Sequence, residues 1–117
     1  MTISIKRAYE PPEPADGTRI LVDRLWPRGL TKEKLKLDVW MKEIAPSNEL
    51  RKWFGHEEAR WEEFRKRYLE ELAGQPELIA ELRRMARGHT VTLLYAKRNE
   101  VHNNASVLKE YLEGRSR

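Results

Sequence analysis

Thr18-Arg19-Ile20-Leu21-Val22-Asp23 is the stretch on which the fold turns. Three consecutive branched apolar residues, with Gly17 before them and Pro27 soon after, lack the spacing of an amphipathic helix or a half-exposed strand. A run of this kind reads as a central strand buried on both faces. A second such run, Thr90-Val91-Thr92-Leu93-Leu94-Tyr95, stands near the other end of the chain. Two near-continuous apolar strands separated by helical pattern imply an α/β fold: a small, mostly parallel sheet with helices on both faces, in a Rossmann-like three-layer arrangement. Residues 1–117 are expected to form a single α/β domain.

Working outward, Ile3 and Ile5 alternate with Thr2, Ser4 and Lys6, the period of a half-buried strand. Residues 9–17 hold three prolines and a glycine and read as an extended surface loop, a solvated linker rather than a docking lid. After the first buried strand, Trp26-Pro27-Arg28-Gly29 forces a turn. Thr31 caps a short helical turn through Leu35. Leu35, Leu37, Val39 and Met41 fit a strand period, whereas Leu37, Trp40, Met41 and Ile44 fit a helix period; a strand near 37–42 is favoured, because Ala45-Pro46 ends the segment early. Ser47 is an N-cap for a helix over Asn48–Phe54 that stops at Gly55. Further helices are expected over about 57–73, with Trp61, Phe64, Tyr68 and Leu72 on one face, and from Pro76 to just before Gly88. A last helix is capped by Asn103 or Asn104 and buries Val107, Leu108 and Leu112.

Composition excludes several classes. With 39% hydrophobic and 36% charged residues, and four Trp, four Tyr and two Phe to bury, the chain is globular rather than disordered. No apolar run reaches the roughly 18 residues of a membrane span, and Met1–Lys6 has no signal-peptide layout. Zero cysteines removes disulfides, thiolate metal sites and thiol nucleophiles, and a cytoplasmic location is the expectation. His56, His89 and His102 lack metal-site spacing, and neither G-x-G-x-x-G nor G-x-x-x-x-G-K occurs, so no metal or cofactor is expected. The net charge of +4 is concentrated late: residues 83–117 carry eight basic and three acidic side chains, against ten and twelve in residues 31–82.

Parallel sheets bind ligands beyond the carboxyl ends of their strands. One such end is followed by Asp23, Arg24, Trp26 and Arg28, the other by Lys97, Asn99, His102, Asn103 and Asn104. If the two strands are neighbours, both loops meet at one edge, and the start of the last helix adds free N–H groups suited to an anion. Arg24 and Arg28 then clamp a small anionic, phosphate-bearing molecule together with Trp26, Lys97, Asn103 and Asn104, while Asp23 or His102 moves a proton if the protein is an enzyme. The same residues have plain structural uses: Arg24 pairing with Asp23 or a helix end, Trp26 sealing the core, the two asparagines capping. Nucleic-acid association, through the basic C-terminal third and an exposed Trp26, is the alternative and ranks lower because the middle of the chain is net acidic. A protein-interaction module is a third reading, and the composition is silent on oligomeric state.

Three motifs carry a resemblance. Leu21-Val22-Asp23-Arg24-Leu25-Trp26-Pro27-Arg28-Gly29, Leu50-Arg51-Lys52-Trp53-Phe54-Gly55-His56, and Thr92-Leu93-Leu94-Tyr95-Ala96 followed by His102-Asn103-Asn104-Ala105 resemble the bacterial and archaeal family known as domain of unknown function 488, in its short YeaO-like branch. The resemblance spans almost the whole chain. It implies an α/β fold and brings no established activity, so it assigns no catalytic residue. In the broader family a Cys-His-Arg-like triplet follows the last strand; here the region holds His102-Asn103-Asn104, and thiol chemistry has no residue to use.

Overall fold

In the computed structural model, which describes residues 1–114, the apolar runs become the two inner strands of a four-stranded, all-parallel sheet. The strands are β1 (Thr2–Arg7), β2 (Thr18–Leu21), β3 (Val39–Trp40) and β4 (Thr90–Tyr95), in the order β1-β4-β2-β3. Register sets Ile3 against Val91, Ile20 against Leu93, and Leu21 against both Leu94 and Trp40. The segment expected as a strand near 37–42 does join the sheet, as a two-residue edge strand.

Five helices surround the sheet: α1 (Lys32–Leu35), α2 (Asn48–Phe54), α3 (Trp61–Ala73), α4 (Pro76–Ala86) and α5 (Asn104–Leu112). Their ends follow local chemistry. The Ser47 hydroxyl accepts the Leu50 N–H to start α2, Pro76 opens α4, and Asn103 caps α5 by accepting the Ser106 N–H. On α3, Trp61, Phe64, Tyr68 and Leu72 are buried at helical spacing, and the Tyr68 hydroxyl donates to the Ile44 carbonyl at 2.7 Å.

The two faces of the sheet are covered unequally. Ile3, Ile20, Val22, Val91, Leu93 and Tyr95 share one core with the buried residues of α2, α3, α4 and α5. The opposite face has a smaller apolar cluster, Ala8, Leu21, Leu35 and Leu94, supplied in part by the single turn of α1. The rest of that face is ionic. Asp16 pairs with Lys6 at 3.0 Å and with Arg19 at 2.6 Å, and the Thr92 hydroxyl donates to the Asp16 carbonyl at 2.7 Å. Arg19, only 4% exposed, also donates to the Leu35 carbonyl, closing the end of α1.

The reading of residues 9–17 as a solvated loop holds for most of the segment and fails at Asp16. Pro14–Asp16 forms a 3₁₀ turn whose last residue is buried as the hub of the ion cluster. Gly17, at φ 64°, passes so close to the Thr90 carbonyl that a Cβ there would collide with it. Pro11 and Pro14 stay exposed and Pro12 is half-buried, so the rest of the segment remains a surface loop. Burial of Asp16 requires Lys6 and Arg19 on two different strands, which no local pattern displays. Arg115 and Arg117, counted in the basic C-terminal end, lie outside the described residues.

Candidate functional site

Because all four strands are parallel, their carboxyl ends share one edge, and β2 and β4 are direct neighbours. The condition placed on the two loops is therefore met. Beyond those strand ends opens a hollow of about 550 Å³, within the range of small-molecule sites. Asp23, Arg24, Trp26 and Arg28 line it from the β2 side, and Lys97, Asn103 and Asn104 from the β4 side.

Asp23 is a strut. One carboxylate oxygen accepts the Ala96 N–H at 2.9 Å, and the other accepts the Asn104 side-chain amide at 3.1 Å. The same amide donates to the Val22 carbonyl at 2.9 Å. The end of β2, the end of β4 and the start of α5 are thus stitched at one point. Burial pushes the Asp23 carboxyl up from its ordinary value, against the opposing pull of these two neutral hydrogen bonds. Asn103 is equally committed: its oxygen accepts the Ser106 N–H at 2.8 Å and its amide donates to the Asn99 carbonyl at 3.0 Å. Both asparagines position the site rather than reach into it. The backbone N–H groups of Asn104 and Ala105 have no hydrogen-bond partner among the described residues.

The cations are freer. Arg28 is exposed, and its guanidinium has no partner among the described residues; only its carbonyl is used, accepting the Tyr9 hydroxyl at 2.8 Å. Arg24 is half-buried and reaches the Ala45 and Pro46 carbonyls only at 3.4 Å. The Lys97 ammonium lies 4.5 Å from the centre of the Phe54 ring, 5.5 Å from that of Trp61, and 3.7 Å from a Glu58 oxygen. Burial holds its pKa below the usual lysine value, with Glu58 pulling the other way.

Trp26 is half-buried, not exposed. Its indole N–H donates to the Leu30 carbonyl at 2.6 Å and its ring packs edge-on against Trp40, 5.4 Å between centres. His102 is not among the lining residues. Its ring stacks on Trp61, at 4.6 Å and 13°, and its Nδ1 lies 2.7 Å from a Glu58 oxygen, in a separate groove. The Asn99 side chain turns the loop that way by accepting the N–H groups of Val101 and His102. Of the two residues considered for proton transfer, the structure brings only Asp23 to the hollow.

Sequence reasoning also passed over half of the lining. Arg51, Phe54, Gly55 and His56 enter from the end of α2, Tyr9 from the loop after β1, and Trp61 and Phe64 from α3. His56, weighed from the sequence as a metal ligand, is exposed on the hollow, and its ring makes no hydrogen bond among the described residues. One signal was present. The segments 21–29, 50–56 and 92–105, which carry the family resemblance, all contribute to this one hollow.

Comparison with known proteins agrees with that resemblance. The family model described as the inactive DUF488-N3 subclade matches residues 2–117. The chain is 49% identical over 112 residues to the uncharacterized protein YeaO of Escherichia coli K12, covering 96% of this chain and 97% of that protein. It is 42% identical over 113 residues to the uncharacterized protein Rv3073c of Mycobacterium tuberculosis H37Rv, covering 97% and 95%. No solved structure gives a significant match. With all but Met1 inside the match and its motif segments gathered around one hollow, the chain belongs to the DUF488 family, in the inactive N3 subclade.

Proposed function

We propose that the hollow binds a small anionic, phosphate-bearing molecule and that the protein works as a binder rather than a catalyst. The carrying observation is the charge of the lining: Arg24, Arg28, Arg51 and Lys97, the last also paired with Glu58 outside the hollow, against a single lining carboxylate, Asp23, whose two oxygens are already hydrogen-bonded within the protein. Guanidinium groups with few internal partners, in a concave site, favour an anion able to accept from several of them. The unpartnered N–H groups at the start of α5 add partial positive charge at the same wall.

The rest of the geometry supports binding without turnover. Asp23 is held as a strut and His102 belongs to another groove, so a paired acid and base across the hollow is lacking among the residues first considered. The description of the matching subclade as inactive points the same way. We place this activity in the cytoplasm, in keeping with a cysteine-free composition.

Thermal unfolding in the presence of inorganic phosphate, sulfate and simple phosphate esters tests the reading. A ligand bound only by the folded state raises the midpoint, by an amount that grows with concentration above Kd. The expected result is stabilisation by phosphate-bearing compounds that is lost in the Arg28→Ala, Arg51→Ala double variant. Equal response of that variant and the wild type would overturn it.

A further inference from the structure

We infer that the anion taken by the hollow carries a flat aromatic body, so that the ligand class is a phosphate ester of a planar ring, of which a mononucleotide is the simplest representative. This inference rests on the anion-binding reading and adds to it the chemistry of the uncharged half of the ligand.

The cations occupy only part of the lining. The remainder is apolar and largely aromatic: Tyr9, Leu25 and Trp26 in loops, and Phe54, Trp61 and Phe64 in helices. Four large apolar side chains stand exposed among the described residues, and two of them, Leu25 at 60% and Tyr9 at 42%, are at this site. A hollow of about 550 Å³ is far more than a bare phosphate ion fills. Inorganic phosphate alone would leave Leu25, Tyr9 and the Trp26 ring in water, whereas a ring-bearing ester covers them while its phosphate meets the guanidinium groups.

The aromatic surfaces are also held in place in the unliganded protein. Trp26 is fixed by its bond to the Leu30 carbonyl and by the edge of Trp40, and Tyr9 by its hydroxyl bond to the Arg28 carbonyl. The Arg7 guanidinium also lies over the Tyr9 ring, 5.2 Å from its centre, and adds to that restraint. Rings already restrained lose little freedom on stacking, which favours a planar partner over a flexible chain. Phe54, Phe64 and Trp61 pack on one another, with ring centres 4.8–6.0 Å apart, and give a rigid floor.

Titration of the full chain with inorganic phosphate, ribose 5-phosphate, butyl phosphate, phenyl phosphate and adenosine monophosphate, followed by tryptophan fluorescence and calorimetry, decides the matter. Phenyl phosphate and adenosine monophosphate are expected to bind roughly tenfold or more tightly than butyl phosphate and ribose 5-phosphate. Trp26→Leu should abolish that preference. Leu25→Ser, at an exposed position with no packing to lose, should reduce it several-fold and carries the test if Trp26→Leu fails to fold. Equal affinity for ribose 5-phosphate and adenosine monophosphate, or tighter binding of butyl than phenyl phosphate, would sink the aromatic ligand and leave the anion site standing. If none of the five binds, the anion site falls with it.

Discussion

Asp16 and Asp23 flank β2, and the chain treats their charges in opposite ways. Burial alone would raise Asp16, but the Glu13 N–H, Lys6 and Arg19 bond its carboxylate and bring it below the ordinary 3.8. Asp23 has only neutral donors, burial wins, and its pKa lies above that value. The signs differ accordingly. A depressed carboxyl stabilises the fold fully above its unfolded pKa, and that stability is lost as pH falls through the folded value. A raised carboxyl costs stability at neutral pH, and acidification through its folded value relieves the cost. Urea unfolding from neutral pH down to about pH 3 should therefore show a shallow response followed by a steep acid loss. Asp16→Asn should flatten the steep limb. At neutral pH the same variant leaves Arg19 buried without its charge partner and should cost about 3–5 kcal/mol. Asp23→Asn places an amide opposite the Asn104 amide; a loss of about 1–3 kcal/mol in the same measurement is expected, since one donor is left facing another.

At the scale of elements, α5 depends on its cap. Asn103→Ala removes both the acceptor of the Ser106 N–H and the donor to the Asn99 carbonyl and should lower stability by about 1–2 kcal/mol, and Asn103→Asp should not restore it, because a buried carboxylate would face that carbonyl. Calorimetric midpoints of the two variants check this. Elements with local signatures were legible in the sequence: Ser47, Pro76 and Asn103 start their helices where cap chemistry places them, and Val91–Tyr95 is buried as an uninterrupted apolar run requires. Parallel strands also made one edge of the sheet the place to look, which located Asp23, Arg24, Trp26, Arg28, Lys97, Asn103 and Asn104 on a common hollow. What escaped depends on paths through space. Arg51, Phe54 and His56 arrive because α2 runs from the end of β3 back to the α3 core, a direction that no periodicity in residues 45–60 encodes. His102 went astray for a related reason: the turn made by Asn99 carries its ring to Trp61, and the sequence shows only that His102 precedes a cap.

Over the whole molecule, the late positive charge is divided between two ends. Lys97 and Arg98 follow β4 at the carboxyl edge of the sheet, whereas Arg83, Arg84 and Arg87 line a groove with Tyr111 near where α4 feeds into the start of β4. A nucleic-acid backbone needs a continuous basic track, and this division does not supply one. Binding of single- or double-stranded DNA is expected to be weak at low salt and gone near physiological ionic strength, as fluorescence anisotropy would show. The strand order has a consequence for biosynthesis. β1 is the first strand of this sheet to be synthesised, yet among the described residues its neighbour in the sheet is β4, the last one. β1 must wait, unpaired and with Ile3 and Ile5 uncovered, until residues 90–95 have been made. The sheet therefore closes only once residues 90–95 are available, and nascent chains stalled before Thr90 should be far more sensitive to protease and more readily held by chaperones than the folded protein.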